Sequence, residues 1–166
     1  MKQFFVVVCL LAAVESLRAA DPAIEAKVKS IRGKYAEIEK SLKDCRQVKR
    51  DLPDESAEGG ELTAYFKDSS LRKLSARLFG ETGKVLEEFY FADGQVIFVF
   101  RVETRYTEPN SGVVKSKTEQ RFYFADGKLI RWLNPDRKDV TADAAKPERE
   151  SELLATAKKY SAMATQ

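Results

Sequence analysis

The chain has 166 residues, of which 43% are hydrophobic and 33% charged, and its 29 lysines and arginines against 26 aspartates and glutamates give a net charge of +3. This length is enough for one domain with a hydrophobic core, and the balanced charge gives little reason to expect nucleic acid as a partner. Histidine is absent from the sequence, which removes the usual general base near neutral pH and the commonest zinc ligand.

The first residues have the layout of a secretory signal peptide. Lys2 is followed by an unbroken apolar run over residues 4–14 and then by the short segment "ESLRAA". The run is shorter than the roughly 20 apolar residues of a membrane-spanning helix. We therefore expect residues 1–19 to be a cleaved signal peptide, with export to a periplasm or out of the cell and no stable membrane insertion afterwards. Cleavage after Ala19 is favoured, and cleavage after Ala20 stays open.

A stripe of apolar residues at helical spacing comes next. Asp21 and Pro22 are suitable as the N-cap and the first residue of a helix. Apolar residues then recur every three or four positions until Pro53, which predicts one long amphipathic helix over residues 22–52. The stripe consists of Ile24, Val28, Ile31, Tyr35, Ile38, Leu42, Cys45, Val48 and Leu52.

Cys45 is the one cysteine outside the signal segment. No disulfide can therefore form within the processed chain. Its position on the apolar stripe indicates a small buried side chain. A disulfide between two chains is the alternative for a leftover cysteine in a secreted protein, and the sequence leaves the oligomeric state open.

Beyond the polar segment 53–60 the hydrophobic period changes from helical to alternating. Six short alternating runs within residues 61–133, separated by Gly, Asp, Asn or Ser, predict an antiparallel meander of roughly six strands. A polar linker over residues 134–146 precedes a second helical pattern over residues 147–164. The fold class is therefore α+β: residues 20–133 form one domain, in which the long helix packs on the meander, and a C-terminal helix follows.

One pattern occurs twice, as "EFYFADGQVIFVF" at residues 88–100 and as "RFYFADGKLIRWL" at residues 121–133. The Asp-Gly pair in each copy favours a tight hairpin turn. A two-residue loop pairs Phe89 with Phe98, whereas a three-residue loop pairs Phe89 with Ile97. The first copy favours the shorter loop and the second the longer one. Because a slip of one residue exchanges the two faces of a strand, the register stays open.

The two units resemble the aromatic-x-x-D-G-K hairpin repeats of MORN-like and YD-like bacterial proteins. A helix followed by a meander also resembles many exported bacterial proteins without a known activity. At the level of architecture alone, the order of elements is similar to cystatin-like and NTF2-like folds. The resemblance covers about 26 of the 166 residues, and it implies a scaffold or interaction role rather than catalysis.

No set of residues with the pattern of a catalytic or metal site stands out. Without histidine, neither a Ser-His-Asp nor a Cys-His site can form. Glu87 and Glu88 are adjacent on a predicted strand, so they point to opposite faces. Asp136, Asp139 and Asp143 lack the spacing of a calcium-binding loop. We therefore expect no enzyme activity, no metal and no cofactor; a hydrolase that uses only carboxylates is the remaining catalytic alternative.

The long hairpin predicted over residues 101–118 is polar on both faces near its tip. Cross-strand ion pairs on a solvated ribbon are the simplest interpretation, and an arm that grips a partner is the functional one. The candidate contact residues are Arg101, Glu103, Arg105, Tyr106, Lys115 and Lys117. The leading hypothesis is an exported, non-enzymatic protein that binds a protein or a cell-envelope component through this arm. The alternative is a small-ligand carrier with a pocket between the curved sheet and the helix.

Overall fold

The structure is a computed structural model that describes residues 21–165. The signal peptide predicted over residues 1–19 lies outside this range. Within the described range, two long helices flank a single antiparallel sheet whose strands lie side by side in sequence order. The elements are α1 (Pro22–Ser41), β1 (Arg46–Asp51), β2 (Gly60–Lys67), β3 (Ser70–Gly80), β4 (Gly83–Ala92), β5 (Gln95–Tyr106), β6 (Val114–Ala125), β7 (Lys128–Leu133) and α2 (Lys146–Thr165).

The predicted α+β class is confirmed, because an antiparallel meander lies between an N-terminal and a C-terminal helix. Each strand pairs with the next one along the chain. Over the described residues the sheet has seven strands, one more than the six alternating runs in the sequence. The additional strand is β1, whose residues continue the helical spacing of the first stripe.

The first helix is shorter than predicted. The helical spacing extends over residues 22–52, but α1 ends at Ser41, a 3₁₀ turn occupies Leu42–Asp44, and the remainder becomes β1. Val48 and Leu52 contact the hydrophobic core on the side of the sheet opposite to α1. One straight helix cannot place its side chains on both faces of a sheet, so the chain changes direction after Ser41. The few apolar positions after the turn do not distinguish a helix from a strand by spacing alone.

Cys45 is the residue at which the turn passes into β1. Its side chain is half-buried, and the thiol donates to the carbonyl oxygen of Ser41 at 3.5 Å. It therefore lies beyond the helix, not on a helical stripe. A disulfide with a second chain stays a prediction from the sequence.

The two helices cover opposite faces of the sheet. The first core, beneath α1, includes Val28, Ile31, Ile38, Tyr90, Phe98 and Tyr123. The second core, beneath α2, includes Phe89, Phe122, Phe124, Leu153, Ala157 and Tyr160. Because both faces are covered, the Phe-Tyr-Phe sequence of each repeated unit is buried at all three positions instead of at alternate ones. Each large apolar side chain buried in this way stabilises the fold by roughly 1.5–3 kcal/mol.

The two repeated units form the same hairpin. Each has a two-residue Asp-Gly turn with both residues at positive φ, and each has one unpaired residue in its second strand, Ile97 or Ile130. Phe89 therefore pairs with Val99, which neither regular loop predicts. The unpaired residue is a β-bulge that shifts the register by one. The two copies therefore share one register.

β2 and β3 form a third hairpin of this kind. Its turn is Asp68-Ser69, with Asp68 at φ 56°, and Arg72 is the unpaired residue. Its sequence, "AYFKDSSLRKL", shares Tyr-Phe-x-Asp with the other units but has Ser in place of Gly. Since Ser69 is not at positive φ, this turn does not require the glycine that marks the other two.

Candidate ligand-binding cleft

α1 crosses the sheet near one end, beside the tight turns. Lys27 forms an ion pair with Asp126 of the β6–β7 turn at 2.9 Å, and Lys34 forms one with Asp93 of the β4–β5 turn at 3.6 Å. All four side chains are exposed or nearly so, and such pairs each contribute roughly 0–1 kcal/mol. These two ion pairs place α1 beside the Asp-Gly turns. The cleft lies between α1 and the parts of β5 and β6 that extend away from these turns.

The cleft encloses about 160 Å³ between α1 and the strands β5 and β6. Tyr35 and Phe98 meet edge to face, with ring centroids 5.3 Å apart, and Phe98 and Tyr123 lie 5.0 Å apart in a tilted arrangement. Each such pair contributes roughly 0.5–1.5 kcal/mol beyond simple burial. The floor of the cleft is therefore a packed group of rings. The lining residues are Ile31, Arg32, Tyr35, Phe98, Phe100, Arg121 and Tyr123.

Two arginines line the cleft, and one of them, Arg121, is paired with Glu119. The guanidinium carbon of Arg32 lies 5.6 Å from the ring centroid of Tyr123, and that of Arg121 lies 5.1 Å from the ring of Phe100. Arg121 donates from Nη2 to Glu119 at 2.8 Å. Its Nη1 is buried and has no hydrogen-bond acceptor among residues 21–165. Arg32 is exposed, and its Nε lies 3.5 Å from the hydroxyl of Tyr123.

A buried ionic network supports the cleft behind Tyr35. Lys73 Nζ lies 2.7 Å from Glu39 Oε1 and 2.8 Å from Glu88 Oε1. The hydroxyl of Tyr90 donates to Glu39 Oε1 at 2.7 Å and lies 3.1 Å from Glu88 Oε2. The ring of Tyr90 also lies 4.9 Å from that of Tyr35. The network ties α1 to β3 and β4, and so holds Tyr35 in place.

Hydrogen bonds in this network overcome the effect of burial on its charges. Burial by itself raises the pKa of Glu39, but the bonds from Lys73 and Tyr90 bring this pKa below its usual value. Burial likewise tends to lower the pKa of Lys73, and the two carboxylates raise it instead. The pKa of Tyr90 is far above its usual value, first because of burial and then because of the charge of Glu88. At neutral pH these shifts keep Glu39 and Lys73 charged and the phenol of Tyr90 neutral.

A larger hollow of about 760 Å³ lies at the N-terminal end of α1. Arg131 in its wall is held by Glu25 at 2.7 Å and by Asp139 at 3.1 Å. The hydrogen bond from Arg131 lowers the pKa of Glu25, which keeps this carboxylate charged. Because one guanidinium here faces two carboxylates, the larger hollow offers less to an anion than the smaller cleft.

The predicted gripping arm lies at the opposite end of the sheet from the tight turns. Its tip is bonded to the β3–β4 turn, since the backbone N–H of Tyr106 donates to Thr82 at 2.9 Å and that of Asn110 donates to Glu81 at 2.7 Å. β5 also pairs with β4 as far as Arg105. The β5 half of the hairpin is therefore inside the sheet, and only the β6 half has an open side.

The sequence predicted ion pairs between β5 and β6. The ion pairs within these strands instead join residues two positions apart on the same strand, such as Glu103–Arg105 and Lys117–Glu119. The 107–113 loop sets a register in which the charges of β5 face uncharged residues. The residues opposite Arg101, Glu103 and Arg105 are Gln120, Thr118 and Ser116. The ion pairs present are Glu103–Arg105, Lys117–Glu119 and, across to β4, Arg101–Glu87. Lys115 is exposed.

The pattern of the sequence does not reveal the cleft. Arg32 is one of many charged residues between the apolar positions of the first helix, and Arg121 opens the second repeated unit. They approach each other only because α1 crosses β6. No rule of local spacing relates a position on a helix to one on a strand so much later in the chain.

No family model matches the chain, and no curated protein or solved structure matches it. The resemblance to MORN-like and YD-like repeats therefore stays a prediction. Over residues 21–165, neither helix has the length and apolar character needed to cross a membrane. The same residues contain no group of three or more cysteine, aspartate or glutamate side chains arranged to hold a metal ion.

Proposed function

We propose that the protein is a non-enzymatic binding protein that holds a small anion with an aromatic or apolar body in the cleft. The observation that carries this proposal is the placement of two guanidinium groups, from Arg32 and Arg121, beside a floor of packed aromatic rings. Concave sites with an apolar lining and a few converging polar groups are the usual form of small-ligand sites. This supports the small-ligand alternative from the sequence over the arm as the main site.

The arginines favour a carboxylate or another planar oxyanion. A guanidinium offers several N–H donors in a fixed fork and binds carboxylates through two parallel hydrogen bonds. Arg121 has a buried nitrogen without an acceptor among the described residues, and an unpaired buried donor costs roughly 1–3 kcal/mol. A ligand oxygen at this nitrogen removes that cost. Nε of Arg72 and Nε of Arg131 are also buried without a hydrogen bond among residues 21–165, but neither residue lines the cleft.

The volume limits the size of the ligand. A cavity of about 150 Å³ is known to accommodate a benzene molecule, whereas sites for drug-sized ligands measure roughly 300–1,000 Å³. The cleft, at about 160 Å³, therefore takes one ring or a short branched chain. In this proposal the acid group meets the two guanidinium groups, and the ring or chain lies against the aromatic floor.

The surroundings support binding without chemistry. The carboxylates near the cleft are held in ion pairs, Glu119 with Arg121 and both Glu39 and Glu88 with Lys73. Each is therefore occupied, and none of the three lines the cleft. The rigid floor reduces the entropy cost of binding, because it needs no ordering when the ligand enters. Export stays part of the proposal through the signal pattern in residues 1–19.

Benzoate is a suitable probe, with benzylamine as its cationic counterpart. We expect benzoate to shift the backbone amide resonances of residues beside the cleft and benzylamine to leave them unchanged. Arg32→Gln and Arg121→Gln should each weaken benzoate binding about tenfold, which corresponds to about 1.4 kcal/mol for one lost charged hydrogen bond.

Arg46→Gln is the matched control. Arg46 also stacks on an aromatic ring, with its guanidinium carbon 4.7 Å from the ring centroid of Phe66, but it lies away from the cleft. The substitution removes the same charge and should leave benzoate binding unchanged. Equal losses in Arg46→Gln and Arg32→Gln, or equal binding of benzoate and benzylamine, would contradict the proposal.

A further inference from the structure

The outer side of β6 is open along half of the strand. β7 pairs with β6 only over residues 121–125, while β5 occupies the inner side along almost its whole length. Within the described part of the chain, no other strand lies beside residues 114–120. In an antiparallel strand, alternate residues direct both N–H and C=O outward, so this stretch presents unpaired backbone groups. We call residues 114–120 the open edge.

The chain closes the neighbouring edge but not this one. After β7, Asp139 forms a bridge with Leu133, and the backbone N–H of Trp132 donates to the hydroxyl of Thr141 at 2.8 Å. The N–H of Val140 also donates to the carbonyl oxygen of Trp132 at 2.9 Å. The outer side of β7 is thus covered by the segment that follows it. The cover ends before the open edge.

Exposed apolar side chains lie at the open edge. Val113 and Val114 are 60% and 55% exposed, and no other large hydrophobic side chain among residues 21–165 is comparably exposed. The outer strand β1 also has an unpaired side, but its single apolar residue, Val48, is half-buried against the second core. Of the unpaired sides of β1 and β6, the one on β6 therefore has the features of a contact surface.

The charges select the partner. Lys115, Lys117 and the half-buried Glu119 lie on the open edge, with Arg105 on the adjacent strand. Glu119 is paired with Lys117 and Arg121, and Arg105 with Glu103, so Lys115 is the cation here that has no ion pair among residues 21–165. A second copy that pairs antiparallel around Ser116 brings Lys115 opposite Lys117 at two places, which is unfavourable. Lysines on an outer strand are a common means of preventing pairing between copies. An extended segment that places acidic side chains opposite Lys115 and Lys117 is attracted to them instead.

We propose that the open edge takes up an extended, acidic segment of another protein as an eighth strand. Backbone hydrogen bonds hold the added strand, as in other cases of strand addition. The two valines provide apolar contact at one end, and the two lysines fix the preference for acidic side chains. This inference is independent of the cleft and of its ligand.

A short peptide of alternating valine and glutamate is the probe, titrated into the purified protein and followed by amide resonances. We expect shifts and slower amide exchange confined to the open edge and to β5. Lys115→Glu combined with Lys117→Glu should weaken binding about tenfold, since exposed charge pairs are worth roughly 0.2–1 kcal/mol each. The same peptide with N-methyl groups on alternate residues should not bind, because it lacks the donors for one side of the ladder.

Lys49→Glu combined with Arg50→Glu on β1 is the matched control, and it should leave binding unchanged. Three outcomes overturn the proposal. The first is equal binding of the N-methylated peptide, which indicates charge attraction alone. The second is the same loss in the β1 control. The third is pairing of two copies through the open edge without peptide, seen as concentration-dependent slowing of exchange at residues 114–120.

Discussion

Glu87 and Glu88 are adjacent on β4, point to opposite faces of the sheet, and each meets a cation. Glu88 joins Lys73 in the network beneath α1, while Glu87 lies beneath α2 and accepts a hydrogen bond from Arg101 at 2.9 Å. Both are largely buried, with 17% and 8% of their side chains exposed. The two faces differ in how many donors reach the carboxylates.

Burial raises the pKa on both faces, and the net shift depends on the donors and on the depth of burial, as Glu87 and Glu39, the second carboxylate of the network, show. Burial raises the pKa of Glu87, and the charge of Arg101, which acts in the opposite direction, does not cancel the effect. Beneath α1, the hydrogen bonds from Lys73 and Tyr90 do overcome burial and lower the pKa of Glu39. Glu87, 8% exposed and with one cation, thus has a raised pKa, whereas Glu39, 36% exposed and with a cation and a phenol, has a lowered one.

The largest expected effect is that of Lys73→Met. This substitution leaves two carboxylates close together beneath α1 without their cation, and removal of one partner of a buried ion pair costs roughly 3–5 kcal/mol. The free energy of unfolding, measured by urea denaturation, should fall by about that amount. Lys117→Met, on an exposed pair with Glu119, is the control and should change it by less than about 1 kcal/mol. Similar losses in both variants would show that the network contributes no more than a surface pair.

Arg101→Met should have a smaller effect. It removes the donor to Glu87, but Glu87 already has a raised pKa and can take up a proton instead of remaining charged. We expect a loss of about 1–3 kcal/mol, the usual cost of an unsatisfied buried polar group, measured in the same way. A loss as large as that of Lys73→Met would remove the proposed difference between the two faces.

The pH dependence of stability should have opposite signs for Glu39 and Glu87. A carboxyl with a lowered pKa stabilises the fold above its unfolded-state pKa, and this stability is lost as the pH falls through the folded-state value. The advantage of the wild type over Glu39→Gln should therefore shrink below about pH 4.5, the ordinary value for glutamate.

For Glu87 the pKa is raised, so its contribution is fully present below the unfolded-state pKa and is lost as the pH rises through the folded-state value. Glu87→Gln should therefore gain stability relative to the wild type as the pH rises above about 4.5. Urea denaturation across this pH range measures both variants. If the difference in free energy of unfolding from the wild type changes with pH in the same direction for both variants, one of the two pKa shifts has the wrong sign.

The smallest expected effect is that of Gly33→Ala, which concerns the helix that carries the network. A Cβ atom at Gly33 meets no atom within 4 Å, so the substitution should raise the free energy of unfolding by roughly 0.5–1 kcal/mol, because alanine favours the helix. Gly127→Ala is the contrasting variant. Gly127 has φ +71°, so alanine there should be destabilising. A loss in Gly33→Ala would mean that α1 is packed more tightly at this point than its contacts indicate.

Local patterns were sufficient for the class and order of the elements. The alternation after residue 60 and the Asp-Gly pairs predicted the meander, because side-chain period and turn conformation are properties of short segments. The register was not predictable, since the bulges at Ile97 and Ile130 add a residue without any mark in the sequence. The end of α1 at Ser41 was missed as well, because Val48 and Leu52 fit both a helix and a strand.

By itself, the sequence determined the positions of β2 to β7 and of the Asp-Gly turns, and that the fold combines two helices with one antiparallel meander. Only the tertiary structure decided which helix covers which face, that Lys73 meets both Glu39 and Glu88, and that Arg32 and Arg121 share one cleft. The physical reason is distance along the chain. Periodicity and turn propensity act over a few residues, whereas a buried ion pair or a binding cleft depends on where separate elements cross.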